Sequence, residues 1–302
     1  MGNLLSSPVP ARPRLRSLLA GPDPVLAPGA YDALSARLIE QAGFDVVYMT
    51  GFGTTATLTG RPDVGLLSAA EMVDNARRIV AAVDVPVIAD ADTGYGNAIN
   101  VVRTIQLHEQ AGVSGVHLED QVMPKKCGHM SGKAVISTKE MVGKIEAAVA
   151  ARRDPDGMVI IGRTDALGVH GLDEALRRLA AWEDAGADVT MVLDISSEEE
   201  MRAIAAAARK PTVMLPMSVM LKKLSHLVTP EEAGKRGFSM VIHPSILLLA
   251  GVAAQRNVLR ELAASGSVQG SLGAFAGFDE INALAGLPEF NEWSARFPTD
   301  AA

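Results

Sequence analysis

Residues 86–120 read PVIADADTGYGNAINVVRTIQLHEQAGVSGVHLED. An apolar run at 86–92 gives way to a helix-length stretch that stops at Gly112, and a second apolar run follows at 115–120. Two short runs bracketing such a stretch mark parallel strands joined by a helical crossover. The pattern extends outward in both directions. Strand-like runs recur at 25–28, 46–51, 158–165, 189–194, 211–216 and 239–244, each followed by a helix-length segment, to about residue 262. Strands buried on both faces read as continuous apolar runs, and eight strand–helix units close more naturally into a barrel than into an open sheet. The expected fold is therefore α/β, a (β/α)8 TIM barrel.

Helix boundaries agree with this reading. Ser68 and Ser137 stand where N-caps are wanted, and Gly43, Gly112 and Gly186 follow helical runs where a left-handed stop is wanted. No linker rich in Pro, Gly or Ser divides the chain. Residues 1–302 are expected to form a single barrel domain, with an N-terminal arm at 1–20 and a C-terminal helical extension at 265–302. The extension carries Phe275, Phe278, Phe290, Trp293 and Phe297, aromatics that want burial, and packing on a neighbouring subunit would supply it.

Composition narrows the function classes. The chain has 302 residues, 48% of them hydrophobic and 21% charged, enough to bury a large core and unlike a disordered or fibrous chain. Lys plus Arg number 28 against 35 Asp plus Glu, a net charge of -7, so no general field attracts a polyanion and nucleic acid is not an expected partner. A single cysteine excludes an internal disulfide, and the N-terminal segment has no secretory apolar stretch. A cytoplasmic or other reducing compartment is expected. The longest apolar run, Ile246 to Ala254, is about half of the ~20 residues that span a bilayer and reads as a buried helix, so no membrane partner is expected. His108 and His226 read as surface residues.

In barrels of this kind the reactive groups sit at the C-terminal ends of the strands. The third strand ends in Asp90-Ala91-Asp92, and residues two apart share a side, so the two carboxylates converge. Glu119 ends the neighbouring fourth strand. Like charges so close need a cation or a shared proton between them, and an all-oxygen set selects Mg2+ or Mn2+. The bland alternative is that such acids cap the following helices, and for Asp120 that reading weighs as much as catalysis. After Glu119 comes a long loop, Gln121 to Lys133, that places Cys127 among three lysines and His129, flanked by Gly128. Nearby positive charge favours a thiolate, so Cys127 reads as reactive, with Lys126 and His129 tuning it.

The segments PGAYDALSARLIEQAGF, TGFGTTATLTGRPDVG, DADTGYGN, HLEDQVMPKKCGHMSGK and GRTDA together resemble the isocitrate lyase/phosphoenolpyruvate mutase superfamily. The branches of closest resemblance are methylisocitrate lyase, dimethylmalate lyase and carboxyphosphonoenolpyruvate mutase. The likeness runs from about residue 14 to residue 190 and is most specific at Lys125-Lys126-Cys127-Gly128-His129. It implies a barrel that forms a homodimer or homotetramer with an exchanged C-terminal helix. It also implies Mg2+ (Mn2+ possible) held by Asp90, Asp92 and Glu119, with Asp63 helping from the outer shell. A small oxo or hydroxy acid would rest its carboxylate on Thr50, Gly51 and Phe52 and meet Arg163. In the lyase branch the reaction is a retro-aldol cleavage in which Cys127 protonates the leaving carbanion; Tyr48 matches a position from which a base would act.

Three departures from the lyase pattern concern the far end of the substrate. Leu193 stands where the lyases carry a glutamate, and Asp194 replaces it only if the register shifts. Leu215-Pro216-Met217-Ser218 replaces an Ala-Asn pair and its hydroxyl, and His243-Pro244 with Leu249 replaces Tyr-Pro with its arginine. An anion buried against these apolar groups would be heavily penalised. The distal pocket is thus expected to be apolar, with His243 and Ser218 its polar contacts. The leading expectation is a Mg2+-dependent lyase that cleaves a substituted 2-hydroxy dicarboxylic acid to pyruvate or glyoxylate plus a second fragment. Phosphonate chemistry, oxaloacetate decarboxylation or hydrolysis, and metal-dependent binding without turnover are the competing ones.

Overall fold

Each of the eight apolar runs carries a strand. A computed structural model describes residues 12–128, 130–216 and 228–297. The strands are β1 Val25–Ala30, β2 Val47–Met49, β3 Val87–Asp90, β4 Gly115–Glu119, β5 Val159–Thr164, β6 Val189–Val192, β7 Thr212–Met214 and β8 Met240–His243. They run parallel in sequence order, and β8 pairs with β1 to close the barrel, Ala27 opposite Ile242. Two pairings set up the top face: Asp90 lies opposite His117, and Glu119 opposite Arg163.

The period of two decides what fills the interior. Ala27, Tyr48, Ile88, Ile161, Met191, Val213 and Ile242 pack together inside the barrel. Their neighbours Ala89, Val116, Leu118 and Ile160 face outward, against Met72, Ile105, Met141 and Trp182 of the surrounding helices. Helix ends follow the expected chemistry. Ser68 and Glu71 bond reciprocally ahead of Ala69–Val80, and Ser137 accepts from the Glu140 N–H ahead of Thr138–Ala151. Gly43, Gly112 and Gly186 take φ of 87°, 88° and 96°, the left-handed geometry that ends a helix.

Two expectations change. The segment from Ile246 forms a helix, Ile246–Ser265, but none of its residues is buried within this chain. With the following helices Phe278–Leu284 and Leu287–Arg296 it leaves Leu259, Leu272, Phe278 and Phe290 exposed. No helix among the described residues is long and apolar enough to cross a membrane. His108, expected at the surface, is fully buried and bonds the Thr104 carbonyl, because its helix turns that side towards the barrel; His226 lies outside the described residues.

The barrel closes through a tight seam. A Cβ on Gly29 would stand 1.9 Å from the Pro244 carbonyl oxygen, a backbone atom that cannot swing aside. Gly29→Ala is therefore expected to destabilise the fold by about 1–3 kcal/mol or more, read as a lower urea midpoint; an unchanged midpoint would mean that the seam is loose.

Candidate active site

The strand period that fills the barrel also aims its last residues into one cavity at the C-terminal face. Tyr48, Asp90, Glu119, Arg163, Leu193 and Leu215 line it, joined by Thr50, Phe52, Asp63, Lys125, Cys127, Gly128, Pro244 and Ser245. Thr50 caps the helix Gly51–Thr59, its side chain accepting from the Gly53 N–H, so the first turn of that helix opens beside the acids. The Gly51 N–H donates to Asp90 Oδ2 at 3.2 Å. A helix N-terminus in this setting suits a carboxylate.

Cations hold the acids together. Lys125 Nζ lies 2.6 Å from Asp63 Oδ1 and touches Asp92 Oδ1 at 2.6 Å, the latter without the alignment of a hydrogen bond. Arg163 meets Glu119 at 2.9 Å and forks onto Asp165 with bonds of 2.9 and 3.1 Å. Burial pushes the Asp92 carboxyl up to about 6, with Asp90 and Asp63 adding to the rise and Lys125 opposing it. Glu119 is raised well above the usual range, by burial first, against the pull of Arg163. Asp90 moves the other way: burial disfavours its charge, but His117, Lys125 and Arg163 outweigh that. Burial itself lowers His117 to about 4, so its ring is neutral at pH 7.

The loop after Glu119 folds over this cluster. Its base is pinned where the Val122 N–H donates to Ala134 O and the Ile136 N–H to Asp120 O, both at 2.8 Å. Gln121 holds Lys126 by both backbone groups at 2.9 Å, and the Cys127 N–H donates to Asp63 O at 2.9 Å. Cys127 is thereby set, buried, in the lining of the cavity with Arg163 and Leu193. Gly128 fits there because a Cβ would come within 1.9 Å of Leu193 and 2.6 Å of Arg163.

Several expected site residues stand elsewhere. Lys126 turns outward and donates to the Gly132 carbonyl at 2.8 Å; adjacent residues on an extended loop face opposite ways, and Lys125 takes the interior. His243 shares the side of β8 with Val241, which packs among the outer helices, so Pro244 and Ser245 line the cavity instead. Leu249 is exposed on the helix that follows, and Pro216 is not in the lining. His129, Met217 and Ser218 lie outside the described residues. Tyr48 is in place, but burial and the Asp90 charge push its pKa well up, and its hydroxyl sits 2.5 Å from His117 Nε2. The phenol is thus neutral and paired with a ring nitrogen that can exchange a proton with it. Asp120 anchors structure: it accepts from Thr164, the Asp165 N–H and Arg178 at 2.7–2.9 Å.

Lys125 and Ser245 escaped the sequence reading, and Leu215, read only as a departure from the lyase pattern, lines the cavity. The strand period marks Leu215, two residues beyond the inward Val213; nothing local marks which of two adjacent lysines turns inward. The donor chemistry suits a hard divalent ion. Asp63, Asp90, Asp92 and Glu119 offer only oxygens, and Glu119 Oε1 is buried without a hydrogen-bond partner. Among the described residues no three such side chains are drawn together as a closed coordination set, Lys125 and Arg163 being interposed.

The family model for phosphoenolpyruvate phosphomutase matches residues 15–263. The chain belongs to the phosphoenolpyruvate mutase/isocitrate lyase superfamily. Within that superfamily it is 43% identical to 2,3-dimethylmalate lyase of Eubacterium barkeri, over 95% of this chain and 98% of that one. Oxaloacetate acetylhydrolase, solved with 3,3-difluorooxalacetate, superposes with a TM-score of 0.90 at 38% identity, covering 98% of this chain and 100% of the other. A phosphonopyruvate hydrolase solved with oxalate and Mg2+ has a TM-score of 0.85 at 31% identity, covering 96% and 100%.

Lys125 is the cation this arrangement depends on. Lys125→Met leaves Asp63 and Asp92 facing each other, and breaking such a buried pair is expected to cost about 3–5 kcal/mol at neutral pH. The loss should shrink as pH falls towards about 6, where Asp92 takes up a proton even with Lys125 beside it. Urea titrations at pH 5 and 8 check this; an equal loss at both would mean that carboxylate repulsion is not the cause.

Proposed function

We propose that this superfamily member is a Mg2+- or Mn2+-dependent carbon–carbon lyase. It would cleave an alkyl-substituted 2-hydroxy dicarboxylic acid to pyruvate or glyoxylate plus a second fragment. The observation that carries this reading is a cavity of mixed lining. Acids, Arg163 and a helix N-terminus line it together with Leu193, Leu215 and Pro244, and Cys127 is among them. Alkylated malate has that polarity, and a relative named for 2,3-dimethylmalate agrees with it.

Asp90, Asp92 and Glu119 would hold the ion, with Asp63 beyond them. When bound, a divalent ion lowers the pKa of a 2-hydroxyl and stabilises the oxyanion of the product. The Thr50–Phe52 turn receives the adjoining carboxylate, and Arg163, already aligned by Asp165, offers its remaining N–H to the substrate. Tyr48 would take the proton of the 2-hydroxyl and pass its own to His117 Nε2, 2.5 Å away. Cys127 Sγ delivers a proton to the carbon released by cleavage, and its loop excludes water while that carbanion exists. Leu193 and Leu215 pack against the alkyl group and make a third carboxylate unwelcome.

We also infer a homodimer or homotetramer in a reducing, cytoplasmic setting. The support is the exposed apolar face at Leu259, Leu272, Phe275, Phe278 and Phe290, larger than a lone chain tolerates, and the single cysteine. The tail would pack on a second copy.

Proton NMR with Mg2+ and a panel of alkylated malates, methylisocitrate, oxaloacetate and phosphonopyruvate tests the reaction. Alkylated malates should yield pyruvate or glyoxylate, with methylisocitrate much poorer, and EDTA should abolish turnover. Cys127→Ser should lower kcat by about 10²–10⁴-fold. Turnover confined to oxaloacetate or phosphonopyruvate would replace the lyase reading with hydrolysis or phosphonate chemistry.

A further inference from the structure

The loop that carries Cys127 is fastened by a residue outside the cavity lining. Lys133 Nζ lies 2.6 Å from Gly128 O, 2.9 Å from Asp165 Oδ1 and 2.5 Å from Asp194 Oδ2. An ammonium has three N–H bonds, and all three are spent here, with the Lys133 side chain only 5% exposed. One acceptor belongs to the loop itself, next to Cys127. Another, Asp165, is the carboxylate that forks onto Arg163. The third, Asp194, follows the wall residue Leu193.

The far side of this contact is shaped for it. Asp194 takes a left-handed φ of 67°, a strained backbone for a residue with a side chain. Its carboxylate lies over Gly168, where a Cβ would stand 2.4 Å from Oδ2. The β6 register leaves Leu193 in the cavity, so Asp194 does not supply the missing glutamate. Its strained turn aims it at Lys133.

We propose that Lys133 is a positioning residue that latches the Cys127 segment onto Arg163 and Leu193 by bridging Gly128 O to Asp165 and Asp194. The latch holds whichever bond the enzyme cleaves, and its test reads thiol access in place of turnover. Because the chain has one cysteine, a disulfide reagent such as 5,5′-dithiobis(2-nitrobenzoate) reports on Cys127 alone.

The rate of modification is measured for the intact protein, for Lys133→Met, Lys133→Arg and Asp194→Asn, and for the urea-unfolded chain. The parent protein should react at least tenfold more slowly than its unfolded chain. Lys133→Met and Asp194→Asn should react at least fivefold faster than the parent, with Lys133→Arg between the parent and Lys133→Met. Circular dichroism and urea midpoints establish that each variant is folded. If Lys133→Met fails to fold, Asp194→Asn carries the test, since Asp194 is partly exposed and nearly keeps its shape. Folded Lys133→Met or Asp194→Asn within fivefold of the parent, or a parent as reactive as its unfolded chain, overturns the latch.

Discussion

Asp63, Asp90, Asp92 and Glu119 are nearly devoid of solvent at the mouth of the barrel, and each must lose its hydration for the cavity to form. The effective penalty is several kcal/mol per ion, and their mutual repulsion adds to it. Lys125 and Arg163 make the arrangement tenable by placing one positive charge between Asp63 and Asp92 and another between Glu119 and Asp165. The rest of the top face is subordinate to this compensation. The loop must return over the barrel to bring Lys125 inward, and Gln121, bonded to Lys126 on both sides, fixes the turn that does so. Since Cys127 follows two residues after Lys125, the contact that neutralises the acids also places the thiol.

The barrel makes this compensation geometrically possible. Parallel pairing sets Glu119 directly opposite Arg163, so the ion pair joins neighbours in one sheet and needs no long-range adjustment. Asp165, two residues on, orients the guanidinium and is in turn held by Lys133 and Gln121. Asp120, read as either cap or catalyst, joins the ends of β4 and β5 to the helix Leu172–Asp184 through Arg178 and Thr164. The acids thus divide. Asp63, Asp90 and Glu119 line the cavity, whereas Asp120 and Asp165 are consumed by structure.

That division explains how far the sequence could be read. Strands buried on both faces announce themselves as apolar runs, so all eight were legible; alternation turned Asp90 and Glu119 inward, and the resemblance placed Leu193 in the cavity. The same rule, applied to β8 from Met240 and Ile242, also selects position 244 over His243; resemblance had drawn attention to the wrong neighbour. Loops have no such period. Whether Lys125 or Lys126 enters the cavity depends on hydrogen bonds from Gln121 and on carboxylates contributed by two other segments. The burial of His108 and the exposure of Leu249 likewise depend on how helices rotate against the barrel, which residue type alone does not fix.

Substrate discrimination in such a cavity rests more on what is missing than on what is present. Arg163 is engaged by Glu119 and Asp165, and Lys125 by Asp63 and Asp92, and among the described residues the lining holds no other cation. A ligand carboxylate directed at Leu193, Leu215 and Pro244 would exchange water for hydrocarbon with no compensating charge, whereas a methyl or ethyl group would gain from leaving water at about 25 cal/mol per Å2. The two effects have opposite sign and act on the same few atoms, so under the proposed reading one wall would both admit alkyl substituents and reject acidic ones. A side chain at position 128 would collide with Leu193, so the Cys127 segment can lie against that wall only because Gly128 carries none.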